Sequence, residues 1–329
     1  MKILVVGCGS IGKRHIRNLK ALGYSDIAVY RSRPVDVEAI EQEFGVCTFF
    51  NLSQALEQHP EVVFVTNPTA LHLPTAIEAA EHGCHLFIEK PLSHSLHNTD
   101  TLVKLVEARQ LTAMVAYNMR FHPALQKLQE MIVQRIVGTI LSVRSWAGQY
   151  LPDWHPNEDY RQSYVAKADL GGGVVLTLSH EIDYLLWLFG EVEQVVAVTA
   201  QAGDLEMSTE SLAEIILQFK HGPIVQIHLD CLQRVPNRGC ELIGSEGTIY
   251  CDLLRSEIQV YRPEANHPEA ISVPLHDPNQ TYLGELTHFF DCIQRGEQPS
   301  PSLREGIAVL KIARAAHEAS STGKVQICP

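Results

Sequence analysis

The sequence predicts an α/β domain built on a parallel, doubly wound sheet, followed by an α+β domain with a mostly antiparallel, open sheet. Three observations carry this. An apolar run at the N-terminus leads straight into Gly7-Cys8-Gly9-Ser10-Ile11-Gly12. Strand-like and helix-like segments then alternate strictly to about residue 117, as a parallel sheet requires. After Asn118-Met119-Arg120-Phe121-His122-Pro123 the rhythm changes to consecutive alternating strands with short turns, the mark of antiparallel pairing. The division places one domain at 1–121 and a second at 122–329, with the C-terminal helix a candidate to pack back on the first.

The first run, Met1-Lys2-Ile3-Leu4-Val5-Val6, is too short for a signal peptide core. It ends in a glycine turn where a cleavage site would lie, and reads as a strand. Ile11, Ile16, Leu19 and Leu22 give the helix that follows, stopped at Gly23. Strand, GxGxxG and helix in that order form a Rossmann-type dinucleotide site. The glycines let backbone approach a pyrophosphate, and the helix N-terminus faces its charge. Gly7, Gly9, Ser10, Ile11 and Gly12 are the candidate cradle. The second strand, 27–30, ends at Tyr30 where an acid would bind the ribose of NAD, but Arg31-Ser32-Arg33 follows. These residues suit a 2′-phosphate, so NADP(H) is preferred over NAD(H). Arginines that stack on the adenine, or lie in solvent, are the competing reading.

A helix at 37–44 and a short strand at 48–50 follow. A strand at 62–66 ends in Asn67-Pro68-Thr69, and a helix through Ala76, Ile77, Ala79 and Ala80 ends near Gly83. Leu86-Phe87-Ile88-Glu89-Lys90-Pro91 is a short apolar run cut off by proline, which reads as a buried strand whose carboxyl end carries Lys90. In open α/β sheets, ligands sit at that edge. A solvated lysine at a turn is the alternative. A helix through Leu96, Leu102, Val103 and Val106 and a strand at 112–117 close the first domain.

In the second domain a helix through Leu125, Leu128, Met131 and Ile132 precedes strands at 139–147, 192–200, 214–219, 224–229, 240–243, 248–251 and 258–261. His221-Gly222-Pro223 and Gly244-Ser245-Glu246-Gly247 read as hairpin turns. Helices at 282–293 and 303–319 end the chain. With no helices evident to cover both faces of the strands, the exposed sheet face is a natural surface for a homodimer or homotetramer.

Two stretches of this half carry further chemistry. The long aperiodic segment 149–161 holds Tyr150, Trp154, Tyr160 and Arg161. Its aromatic rings suit a sugar, or else tie down a structural loop; both readings stand. Gly171-Gly172-Gly173 leads to Ser179-His180-Glu181-Ile182-Asp183, with Ser179 as a helix N-cap, Glu181 facing the helix dipole, and a stripe of Ile182, Leu185, Leu186 and Phe189 ending at Gly190. His180 and Asp183 share a face. A neutral imidazole oriented by Asp183 is a candidate base; a histidine with a purely structural partner is the equal alternative.

Hydrophobic residues are 45% of the 329 and charged residues 19%, as in ordinary globular proteins. A net charge of −12 without a basic run argues against nucleic acid or anionic membrane as partners. No apolar stretch reaches membrane-spanning length. Eight scattered cysteines suit free thiols in a reducing cytoplasm. Sixteen histidines show no HExxH or CxxC spacing, so no metal site is expected.

GxGxxG at the N-terminus, Thr66-Asn67-Pro68 with His72 beyond, and Glu89-Lys90-Pro91 together resemble the Gfo/Idh/MocA family, which includes glucose–fructose oxidoreductase and inositol dehydrogenase. GGG followed by HxxD is its second landmark, and the resemblance covers essentially the whole chain. It implies an NAD(P)-dependent oxidoreductase acting on a hydroxyl or keto group of a sugar, cyclitol or nucleotide sugar. By resemblance Lys90 is catalytic and His180 transfers a proton, with Asp183 beside it. Asn67, Pro68, His72, Glu89 and Lys90 line the cofactor. Asn118, Arg120, Trp154 and Tyr160 are the candidate substrate contacts. Many members carry an acid shortly before the histidine, where this chain has Thr177. That departure motivates a second reading, a nicotinamide-binding sensor with reduced catalysis. A metal-dependent hydrolase, the third, lacks any ligand spacing.

Overall fold

The structure, a computed structural model, describes residues 1–156 and 158–328. Two compact units emerge. The first comprises Met1–Tyr117 and Tyr282–Ile307, the second Asn118–Thr281 and Ala308–Pro329. The chain thus leaves the first unit after Tyr117, four residues before the sequence-based division, and returns to it for 282–307.

In the first unit, strands and helices alternate as β1 (Ile3–Val6), α1 (Ser10–Ala21), β2 (Ile27–Tyr30), α2 (Val37–Phe44), β3 (Cys47–Phe49), α3 (Leu52–Leu56), β4 (Val62–Val65), α4 (His72–Glu81), β5 (His85–Glu89), α5 (Thr99–Ala108) and β6 (Ala113–Ala116). The short helix α3, capped by the Asn51 side chain on the Gln54 N–H at 3.1 Å, was not foreseen. All neighbours pair in parallel in the order β3-β2-β1-β4-β5-β6. β1, β4 and β6 are buried at every position, which explains their unbroken apolar sequence. The strand order reverses between β1 and β4, and ligands of such sheets bind outside the carboxyl ends at that switch. The returning segment completes the core. Phe289 approaches Phe87 edge-on at 5.4 Å, Phe87 stacks on Phe64 at 4.7 Å, and Phe290 stacks on Tyr24 at 4.2 Å.

The second unit begins with a 3-10 turn at Asn118–Phe121, then α6 (Pro123–Val133) and β7 (Ile140–Gly148). Next come α7 (Val174–Thr177), α8 (His180–Phe189), β8 (Val192–Ala200), β9 (Leu212–Phe219), β10 (Ile224–Asp230), β11 (Asn237–Gly244), β12 (Thr248–Asp252), β13 (Glu257–Tyr261) and β14 (Glu269–Ser272). The chain closes with α9 (Asn279–Arg295), α10 (Leu303–Thr322) and β15 (Gln326–Ile327). The nine-stranded sheet runs β14-β13-β12-β11-β7-β10-β9-β8-β15, antiparallel except where β10 lies parallel to β7. Alternation sets its two faces. On β9, Ala213, Ile215, Leu217 and Phe219 are buried, while Ile216 and Gln218 between them are exposed. In the aperiodic stretch, the described residues 149–156 and 158–173 include 3-10 turns at Leu151–Asp153, Tyr160–Gln162, Tyr164–Ala166 and Ala168–Leu170.

Candidate active site

The glycine turn after β1 is shaped by steric necessity. Gly7 has φ +99°, and a Cβ there would lie 2.8 Å from the backbone N of Asn67. A Cβ on Gly12 would lie 2.2 Å from the Gly7 carbonyl oxygen. The Thr66 hydroxyl donates to that carbonyl at 2.7 Å, locking the turn to the end of β4. At Gly9, by contrast, a Cβ would meet no atom within 4 Å, so the cradle is open where a pyrophosphate would approach. Gly9 is the N-cap residue of α1, Ser10 is exposed, and the first turn carries no acid. The dipole end of a 12-residue helix is therefore left for an anion. Asn67 donates its amide to Thr75 Oγ1 at 2.9 Å, and its buried Oδ1 has no partner among the described residues. A buried acceptor without a partner, two residues past the carboxyl end of β4, fits a ligand bearing an amide. These residues suit a dinucleotide.

At the end of β2, the Gly7 N–H reaches the Tyr30 carbonyl at 3.0 Å. Arg31 is half-buried and donates Nη1 to the Val35 carbonyl; Ser32 and Arg33 are exposed.

His72 is buried with each ring nitrogen 2.8 Å from a backbone oxygen, Nδ1 from Pro91 and Nε2 from Asn67. Desolvation lowers its pKa, against the two carbonyls and Glu89, which favour the charged form. His72 staples the turns that follow β4 and β5, so it supports the cofactor edge through backbone carbonyls. Beside it, Glu89 ends β5. Its Oε1 pairs with His15 Nε2 at 2.7 Å, and Oε2 accepts from the Lys90 N–H at 3.2 Å. Burial raises the Glu89 pKa, but the His15 bond and the charges of His15, Lys90 and His72 outweigh it and hold the group below the ordinary carboxylate range. Lys90 itself is half-buried. His15 went unnoticed in the sequence. Its signal was helical spacing, since Gly12, His15, Ile16 and Leu19 share the buried face of α1.

In the second unit the triple glycine is a packing requirement. A Cβ on Gly172 would fall 2.3 Å from the Tyr164 carbonyl oxygen, and one on Gly173 2.3 Å from Glu210 Oε1. Glu210 accepts from the Val175 N–H at 3.1 Å and pairs with His317 at 3.2 Å. That contact anchors α7, and α8 follows after two residues. Ser179 stands at the N-cap position, but its backbone is helical (φ −65°, ψ −6°) and its side chain does not cap, because α7 delivers the chain already coiled. Glu181 meets more than the helix dipole. Buried completely, it takes a two-pronged grip from Arg238, with Nε at 2.7 Å and Nη2 at 3.0 Å. Asp183, also fully buried, accepts from Arg120 Nε at 2.9 Å and Nη2 at 2.7 Å. His180, 8% exposed, opens the helix just before these clamped acids. Helical spacing placed His180 and Asp183 on one face, but gave no sign that Arg120 would hold the aspartate.

Of the remaining candidates, Asn118 is buried and donates Nδ2 to Thr281 Oγ1 at 2.8 Å. Trp154 donates Nε1 to the Gln149 carbonyl at 3.0 Å, and the Tyr160 hydroxyl accepts from the Glu206 N–H at 3.2 Å. Among the described residues, no cluster of three or more His, Cys, Asp or Glu has the geometry to hold a metal, and no helix is long and apolar enough to cross a membrane.

Comparison with known proteins decides the family. A model described as an oxidoreductase family with an NAD-binding Rossmann fold matches residues 1–117, and the GFO/IDH/MocA C-terminal domain matches residues 125–250. The chain belongs to the GFO/IDH/MocA oxidoreductase family. Among its relatives is the myo-inositol 2-dehydrogenase of Thermotoga maritima, 27% identical over 329 residues, covering 96% of this chain and 95% of that one. The D-xylose 1-dehydrogenase (NADP(+)) 2 of Haloferax volcanii is 23% identical over 325 residues, 97% of each chain. Among solved structures, levoglucosan dehydrogenase in complex with NADH superposes with a TM-score of 0.89 at 22% identity, covering 100% of this chain and 99% of that one; it shows the shared fold. As a GFO/IDH/MocA protein the chain is an oxidoreductase with a dinucleotide-binding first domain, and the named relatives above are sugar or cyclitol dehydrogenases.

Proposed function

We propose that this enzyme moves a hydride between a nicotinamide cofactor and one hydroxyl or keto carbon of a sugar, cyclitol or nucleotide sugar. The observation that carries the reading is Lys90 at the carboxyl end of β5, two strands from the glycine cradle after β1, with its backbone held by a buried, ionised Glu89. The nicotinamide supplies the hydride acceptor or donor; Gly7, Gly9, Ser10, Ile11 and Gly12 would hold its pyrophosphate, and Asn67 and Pro68 the edge beside it. The chain's own residues handle the proton and the charge. An alcohol gives up hydride readily only as its proton leaves. His180 takes that proton and Lys90 steadies the alkoxide oxygen. Asp183, fixed by Arg120, stabilises the imidazolium that forms. Asn118, Trp154 and Tyr160 are proposed to shape the substrate site, the aromatic residues through their rings, since their polar tips are already bonded to backbone.

NADP(H) is proposed as the preferred cofactor, with NAD(H) possible as the alternative. Arg31, Ser32 and Arg33 follow β2 with no acid among them, and the Haloferax relative's name carries NADP(+). The exposed side chains of Val196, Val198, Ile216 and Ile224 on the outer sheet face support self-association with a second copy of the chain, as a homodimer or homotetramer. All eight cysteines are free thiols, consistent with the proposed reducing cytoplasm.

The test is turnover of a panel of polyols, aldoses, uronic acids and nucleotide sugars with NADP+ or NAD+, followed by nicotinamide absorbance. Reduction with one class is expected. Tight NADPH or NADH binding with no turnover on any of them overturns the catalytic reading. Light scattering at micromolar concentration that shows only a 36.7 kDa species overturns self-association.

A further inference from the structure

One buried acid has no part in the chemistry above. Glu285 lies on α9 with no solvent exposure, and neither carboxylate oxygen has a hydrogen-bond partner among the described residues. Its surroundings are fixed by its helix. Tyr282, Glu285 and Phe289 are spaced three and four apart and share a face. The Tyr282 ring lies 6.2 Å from the His15 ring, and Phe289 lies 5.4 Å from Phe87, itself 5.1 Å from His15. Glu285 is bracketed by the same aromatic cluster that encloses His15, and His15 Nδ1 also lacks a partner. The charge of Glu89 acts on Glu285. The other titratable or charged groups of this cluster are His15 and Arg14 on α1, the latter over Tyr282 at 4.5 Å, then Lys90 after β5 and His72 on α4, both of which act on Glu89.

An isolated buried carboxylate with no donor is among the most costly groups a fold can hold, and it escapes the cost by keeping its proton. A second anion beside Glu89 would also compete for the same cations. We propose that Glu285 is a positioning residue that stays a neutral carboxylic acid behind the His15–Glu89 pair, leaving the negative charge of that cluster on Glu89, whose carboxylate holds the Lys90 backbone. Burial first, and the Glu89 charge second, both push Glu285 well above the ordinary carboxylate range, in keeping with this geometry. Two buried acids within one unit therefore carry opposite states. Glu89 has donors and is ionised; Glu285 has none and is protonated. The inference deepens the role proposed for Lys90 and rests on that reading only for its effect on catalysis.

Infrared titration of the cofactor-free full chain tests the protonation without any substrate. A carbonyl band of a buried carboxylic acid is expected at neutral pH, absent in Glu285→Gln. In Glu89→Gln the band should titrate away at lower pH, because the repelling charge is gone. No band difference between wild type and Glu285→Gln at neutral pH overturns the proposal, as does an unchanged midpoint in Glu89→Gln. The second readout is the pH profile of kcat. Glu285→Ala is expected to lower kcat, with Gln, the neutral isostere, restoring most of it. The alkaline limb in Glu285→Gln should lie at lower pH than in wild type, by on the order of half a unit, because no second negative charge emerges there to favour neighbouring cations. Superimposed profiles overturn the positioning role while leaving the catalytic reading intact. A protein that passes the infrared test yet turns over no substrate overturns the catalytic reading alone.

Discussion

Each unit buries acids beside its candidate catalytic residue, and the two do so by different means. In the first, Glu89 and Lys90 are chain neighbours. The carboxylate is held locally by the next residue's N–H, and from 74 residues away by His15. In the second, Glu181 and Asp183 follow His180 on α8, and the arginines that grip both oxygens of each come from 57 and 63 residues away. The Lys90 N–H contact follows from a strand ending at a proline, while the His15 bond forms only once α1 has packed beside β5. The arginine clamps exist only once β11 and the 118–121 turn have docked on α8. Removing one partner of a buried charge pair is costly, and a carboxylate that keeps a local backbone donor loses less than one whose guanidinium clamp is removed.

The largest expected effects are on turnover, where both units are equally needed. Lys90→Met and His180→Gln should each lower kcat by roughly two to four orders of magnitude, with little change in cofactor affinity for the latter. Full activity in either variant, with the true substrate, removes that residue from the mechanism.

Stability separates the two units. Arg120→Met removes both guanidinium bonds to the buried Asp183 carboxylate and should cost about 3–5 kcal/mol in urea denaturation. His15→Gln leaves Glu89 its Lys90 N–H, so a smaller loss of roughly 1–3 kcal/mol is expected. Equal losses would break the comparison.

Arg31→Ala asks whether local geometry also sets cofactor choice. Losing a charge-assisted phosphate contact should weaken NADP binding by roughly 1.5–3 kcal/mol and leave NAD nearly unchanged. Tighter wild-type binding of NAD than of NADP, or an unaffected variant, refutes the preference.

The smallest effect concerns His228, which the outer sheet face holds between Glu214 at 2.5 Å and Asp230 at 2.9 Å. The bond to Asp230 leads, against desolvation, in raising its pKa to about 9. A folded-state value above the unfolded one means the stabilisation is complete below the unfolded pKa and is lost as pH rises through about 9. His228→Gln should therefore lower the melting temperature near neutrality, with the gap closing in alkali. A gap that does not vary with pH shows the histidine neutral in the fold.

Much of the first unit was legible in the sequence because its signals are local. Gly7, Gly9 and Gly12, the apolar runs of the parallel strands, and Pro91 after Lys90 each impose a backbone constraint within a few residues. The strands of the second unit were equally readable from alternation, and 192–200 and 224–229 lie within observed strands. What the sequence could not contain was pairing across the chain. Arg120, a candidate substrate contact by resemblance, also clamps Asp183, which the sequence did not show. Ser179 looked like a cap, and α7 made the cap unnecessary. Glu285 carried no signal in the sequence. A side chain's charge state depends on which donors surround it, and donors from distant residues converge only through tertiary packing. Composition and spacing therefore determined the sheets, the cofactor edge and the candidate chemistry of Lys90 and His180. The tertiary structure alone decided which buried acids are paired and which has no donor, and hence which of them can carry charge.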